Sequence, residues 1–183
     1  MGTDKAFLRL GRITLLEHLI AVAKQVCTTV VLVGSRERLQ PYGPVIEDEF
    51  AGQGPLAGIH AALSSAFAKD LNIFLAVDLP NVSASLLNYL LRTAGESSSM
   101  VTVPCSHGFS QPLCAVYRKE FAAVAEQALK AGRNKIDALY AAVPTHRVEE
   151  PELTKLGFPP SIFDNVNTPE EWDRLQRTRT ANG

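Results

Sequence analysis

This sequence predicts an α/β fold built on a mostly parallel sheet, and three observations predict it. The runs Thr29-Val30-Val31-Leu32-Val33 and Ile73-Phe74-Leu75-Ala76-Val77 are apolar without interruption, as strands covered on both faces require. Other segments repeat their apolar residues every three to four positions, which is the helical rhythm. The two rhythms alternate along the chain, so helices and strands alternate too.

Taken in order, the first helix runs over residues 14–25, where Leu15, Leu19 and Val22 recur at helical spacing behind a Thr14-x-x-Glu17 capping box. Strand 29–33 follows and is closed by Gly34. Val45-Ile46 is a short strand, residues 56–67 form an alanine-rich helix, and residues 73–77 are the second buried strand. Ser83 or Ser85 caps a helix that reaches Leu91, and residues 95–99 are a small-polar turn. Residues 100–103 and 113–117 read as strands, 120–131 as a helix, 134–142 as a short helix and 146–148 as a strand. Pro169 suits the first position of a closing helix. No linker or internal repeat divides the 183 residues, which form one domain with a frayed tail at 178–183. A chain of this length buries about 70% of the surface it exposes when unfolded.

Charge excludes some partners. Acidic and basic side chains number 19 and 18 with no long run of either sign, so nothing favours nucleic acid or a membrane surface. A small anionic ligand remains compatible. Cys27, Cys105 and Cys114 are odd in number and far apart, which argues against a disulfide framework or a zinc site and for a reducing compartment. The opening residues have no apolar signal core, and no stretch approaches 18 uninterrupted apolar residues, so the expectation is a soluble cytoplasmic protein. The four histidines show no metal spacing, and no G-x-S-x-G marks a serine nucleophile. Asn81-Val82-Ser83 matches a glycosylation sequon, but without a secretory signal it reads as chance or a helix cap.

Three places can carry chemistry. Asp78-Leu79-Pro80 follows the strand 73–77 directly, which puts a carboxylate at the carboxyl edge of the sheet, where open α/β sheets bind ligands. A carboxylate suits magnesium, which takes one or two such ligands beside substrate phosphates and water. An aspartate there can equally begin a turn or cap the next helix. Gly54-Pro55-Leu56-Ala57-Gly58 turns the chain into a helix whose free amides could face an anion, or it is plain punctuation. Lys5, beside Gly2 and Asp4, could neutralise phosphate oxygens, or it is a solvated terminal lysine.

Together and in order these segments resemble the molybdenum cofactor guanylyltransferases, whose N-termini carry L-A-G-G-x-S-x-R-M-G-x-D-K. The resemblance starts at Met1-Gly2-Thr3-Asp4-Lys5-Ala6 and continues through Leu10-Gly11, Leu15-Leu16-Glu17-His18 and Val45-Ile46-Glu47-Asp48. Gly54 to Gly58, Val77-Asp78-Leu79-Pro80, Gln111-Pro112-Leu113 and Asn165-Val166-Asn167-Thr168-Pro169-Glu170 follow. It implies a Rossmann-like three-layer nucleotidyltransferase fold and a GTP- and Mg2+-dependent transfer of GMP to the molybdopterin cofactor, with pyrophosphate leaving. Lys5, Asp48, Gly54, Pro55, Leu56 and Asp78 would then meet GTP, with Lys5 and Asp78 catalytic and Asp78 holding the metal. Gln111 and Asn167 would lie near the pterin. Molybdoenzymes or their chaperones would be the protein partners.

The sequence departs from that pattern twice. Val33 is followed by Gly34-Ser35-Arg36 where the family often has an asparagine near the guanine. The family's first strand and its L-A-G-G-x-S-x-R turn have no counterpart ahead of Met1, as expected of a start codon assigned too late or of a true truncation. Without that strand its neighbours should face each other across a gap. The alternatives are another nucleotidyltransferase of the same fold, a truncated non-catalytic relative that binds GTP or cofactor, or an insertion chaperone.

Overall fold

The computed structural model describes residues 5–10, 13–50 and 52–166; Asn167, the expected closing helix and the 178–183 tail lie outside them. A small antiparallel pair, β1 (Arg9–Leu10) and β2 (Ile13–Thr14), leads into α1 (Leu15–Lys24). The capping box is formed as expected: Glu17 N–H donates to Thr14 Oγ1 at 3.2 Å, and Thr14 N–H donates to the Glu17 carboxylate at 2.7 Å. That backbone bond from Thr14 holds the Glu17 carboxyl below its ordinary range.

Next come β3 (Leu32–Val33), α2 (Arg36–Leu39), β4 (Val45–Ile46), α3 (Pro55–Ser64) and β5 (Leu71–Leu75). The second half holds α4 (Ala84–Glu96), β6 (Val101–Ser106), β7 (Phe109–Ser110), β8 (Cys114–Arg118), α5 (Phe121–Lys130), β9 (Thr145–Val148) and α6 (Glu150–Lys155). The expected helix over 134–142 is a single 3-10 turn, Asp137–Leu139.

The fold class is α/β as expected, with the sheet mixed rather than mostly parallel. β8 lies between β5 and β6 and is antiparallel to both, while β9 is parallel to β6 and β3 is parallel to β4. The chain returns from β6 to β8 through the short β7, and a parallel return needs a crossover of a dozen residues or more. The β6–β7 turn itself, His107-Gly108, places both residues at positive φ, 53° and 78°, as a tight hairpin demands.

Helices cover both faces. α3 and α5 pack through Leu56, Ile59, Phe121 and Leu129 against Val103 and Tyr117 of the sheet. On the opposite face Leu86, Leu87 and Leu90 of α4 meet Val116, Val148 and Leu153. α4 runs past the expected turn at Gly95, and Arg118 closes its end by donating to the carbonyls of Ala94, Ser97 and Ser99 at 3.1, 2.6 and 3.0 Å.

A gap separates β3 from β5. β3 and β5 both line a cavity of about 1200 Å³, and neither pairs with a described strand on that side. The same gap explains two differences from the sequence reading. The 29–33 strand contracts to Leu32–Val33, and every residue of β5 is half-buried instead of fully covered.

Candidate functional site

The site is built from the carboxyl end of β5. Asp78 follows the strand at once, and the turn it begins is fixed by partners distant in sequence. Val166 N–H donates to the Asp78 carbonyl at 3.0 Å, and His18 Nε2 of α1 lies 3.2 Å from the Pro80 carbonyl, to which it donates when protonated there. Asn81 Nδ2 donates to the Ser161 carbonyl at 3.1 Å. Leu79 and Pro80 are buried beneath the turn, so the apolar half of the motif anchors it while Asp78 lines the cavity.

α3 brings the second component. Gly54, its N-cap, has φ 74° and ψ −161°, a conformation that costs glycine little, and Pro55 takes the first helical position. No side chain caps this end; Pro55 has no N–H and Ala57 N–H donates to the Gly54 carbonyl at 3.1 Å, so among the described residues the Leu56 amide is the one left to another acceptor. Pro55 lines the same cavity as Asp78, whereas Leu56 is fully buried and could meet a ligand only through its backbone.

Lys5 opens a 3-10 turn, Lys5–Phe7, whose next two residues also line that cavity. The Arg38 guanidinium sits 5.2 Å over the Phe7 ring. The structure thus gathers Asp78, the start of α3 and the segment carrying Lys5 around one cavity. Asp48 is not among its lining residues; it lies between β4 and α3, with Oδ1 buried and without a partner among the described residues. Gln111 sits on the β7–β8 connection, its N–H donating to Pro104 and its carbonyl accepting from Cys114, both at 2.9 Å. That connection reaches the Asp78 strand through Ala76 N–H, which donates to the Leu113 carbonyl at 2.7 Å. Asn167 is outside the described residues, though its neighbour Val166 is the residue bonded to Asp78.

Sequence reasoning missed His18 and Arg38 as neighbours of the site, while Val33, Gly34 and Ser35, noted where the family often has an asparagine, do line the cavity. His18 stood in a quoted motif, yet one residue on a helix gives no sign of a carbonyl 62 positions away. Among the described residues no three of His, Cys, Asp or Glu gather as a ready-made metal cluster, and no helix is long and apolar enough to cross a membrane.

A carboxylate, an uncapped helix start and a basic segment around one cavity at a sheet's carboxyl edge suit a phosphate-bearing ligand, as in α/β nucleotide-binding proteins. The chain belongs to the MobA-like NTP transferase domain family, whose model matches residues 1–148. It is 34% identical over 176 residues to a probable molybdenum cofactor guanylyltransferase of Carboxydothermus hydrogenoformans, covering 96% of this chain and 88% of that one. A second protein so named, from Pelotomaculum thermopropionicum, is 36% identical over 174 residues, covering 93% and 83%. The crystal structure of molybdopterin-guanine dinucleotide biosynthesis protein A from Archaeoglobus fulgidus superposes with a TM-score of 0.83 at 23% identity, covering 98% of this chain and 92% of that one.

Proposed function

We infer that this protein transfers GMP from GTP to the terminal phosphate of a molybdenum-bearing pterin, with pyrophosphate as the leaving group. Family membership and the names of its relatives support the reaction class. The observation that carries the reading to this chain is the clamped Asp78, which lines one cavity with the start of α3 and the Lys5 segment.

In this reading the acceptor phosphate attacks the α-phosphorus in line, and the protein contributes alignment and charge neutralisation more than a nucleophile of its own. The Leu56 amide at the start of α3 donates to a phosphate oxygen, and Lys5 adds a mobile positive charge. Gln111 and Asn167 are assigned to the pterin side. The Asp78 carboxylate is a hard oxygen ligand of the kind magnesium takes, and Asp48, whose Oδ1 is buried without a partner among the described residues, is assigned to the nucleotide. With no denser carboxylate cluster among the described residues, triphosphate oxygens and water would complete the coordination. Bound there, magnesium would neutralise charge on the triphosphate.

Pyrophosphate release tests this reading, measured with the natural full-length protein, magnesium, molybdenum-loaded molybdopterin and equal GTP and CTP. Release that requires the pterin and consumes GTP supports it. Preference for CTP, or GTP binding without any release, overturns it.

A further inference from the structure

Residues 47–54 join β4 to α3, and Asp48 lies between two points at which this segment is pinned. On one side the Glu47 carboxylate accepts from the Arg36 backbone N–H at 3.0 Å and from Arg36 Nε at 3.3 Å. Both side chains are more than half exposed, so water and salt weaken this pin. On the other side the Phe50 ring meets the His60 imidazole edge to face, with centroids 5.3 Å apart and planes at 79°. His60 is buried in the second turn of α3, and Phe50 also packs against the core that α3 and α5 share.

The chemistry of residue 60 marks this contact as more than filling. An aliphatic side chain would occupy the same position without burying a polar atom, whereas His60 buries Nδ1 with no partner among the described residues. What the imidazole adds is a fixed ring plane. The Ser64 hydroxyl, one turn further on, is hydrogen-bonded to Nε2 at 3.2 Å. That bond sets the orientation of the His60 ring, and the edge-to-face preference of paired rings then sets that of Phe50.

From Phe50 the constraint passes both ways along the chain. Its carbonyl accepts from Gln53 N–H at 3.1 Å, which ties it to the residue before the Gly54 N-cap and so to the end of α3 that carries the Leu56 amide. In the other direction Asp48 is two residues away, and its Oδ1 is a buried acceptor with no donor among the described residues. Such an atom is costly to leave without a ligand to complete it. His60 itself does not line the cavity, so it acts through Phe50 and not on a ligand.

We propose that His60 is a positioning residue: through Phe50 it holds the Asp48 carboxylate ready for the nucleotide at the start of α3. This role rests on the reading of the chain as a GTP-dependent enzyme with Asp48 at the nucleotide.

Equilibrium binding of GTP with magnesium to the protein and its variants tests it. Phe50→Ala should weaken binding about tenfold, His60→Leu about as much, and Phe50→Tyr, which keeps the ring, should recover most of the loss. Asp48→Asn should weaken binding by itself. Adding Phe50→Ala to Asp48→Asn should then cost less than about twofold more, because the ring has no carboxylate left to place. Parent affinity in Phe50→Ala or in Asp48→Asn overturns the proposal, and so does the full tenfold loss repeated in the Asp48→Asn background, which a merely structural role of the ring would give. Should His60→Leu fail to fold, the Phe50 and Asp48 variants still decide the matter. A parent protein that binds no GTP defeats the GTP reading and this role with it, whereas a parent that binds GTP beside variants that bind it equally defeats the role alone.

Discussion

The hydroxyls of Tyr117 and Tyr140 meet at 2.9 Å inside the core, and Tyr117 also donates to the Pro112 carbonyl at 2.9 Å. Burial pushes both phenols well above their ordinary range, so they stay neutral and the pair is a neutral hydrogen bond. One side chain thus ties the β7–β8 connection that carries Gln111 to the segment that follows α5.

Tyr117→Phe removes that hydroxyl and leaves Pro112 and Tyr140 short of a partner. The expected cost is about 1–3 kcal/mol, read as a lower denaturant midpoint with an unchanged slope. An unchanged midpoint would show that the buried pair contributes nothing net.

Asp78→Asn keeps the shape of the turn and removes its charge. Turnover is expected to fall about 100-fold or more while thermal unfolding stays close to that of the parent protein. Near-normal pyrophosphate release from that variant would remove Asp78 from the chemistry.

His18→Ala deletes the bond to the Pro80 carbonyl and should cost about 1 kcal/mol of stability. Because His18 supports the turn without lining the cavity, its loss should lower kcat more than it raises KM for GTP, and His18→Gln should recover part of the loss. Parallel changes in both constants would mean a purely structural role.

The capping box predicts an acid-sensitive start to α1. Glu17's carboxyl titrates below the ordinary 4.5 in the folded protein, so its contribution is complete above 4.5 and is lost as pH falls through the folded value. Amide exchange at Glu17 should therefore accelerate in that acid window, and Glu17→Gln should abolish the window. The same pH dependence in the variant would assign it to another group.

Burial raises the Cys114 thiol to about 12, and it raises Cys27 as well. At pH 8 iodoacetamide should modify the half-buried Cys27 slowly and reach Cys114 only as the whole domain unfolds. Native labelling of Cys114 would reveal a local opening of β8.

The capping box, the buried strands and the helical faces were readable because each is written in neighbouring residues. Thr14 and Glu17 are three positions apart, and Gly54-Pro55 announces α3 by its own backbone preferences. β7 was missed because two residues are too few to show a period, although His107-Gly108 marks its turn. α6 was missed for a related reason: six residues with one buried apolar position, Leu153, carry almost no helical rhythm. Asp78 could be nominated from its place after a strand, but the bonds that hold its turn could not. Val166 and His18 are paired with it by topology, and nothing in their own residue types encodes the partner.

The bond from Val166 to Asp78 also sets an order of events. Asp78 leaves the ribosome long before Val166 does, so the turn on which the chemistry is proposed to rest cannot be completed while the last part of the domain is still being made. Such a late, long-range closure is slow compared with the local pairing of β6, β7 and β8. A nascent chain can therefore fold much of its sheet while its site is still unformed, and a chain cut short before Val166 would keep most of its core with the Asp78 turn untethered.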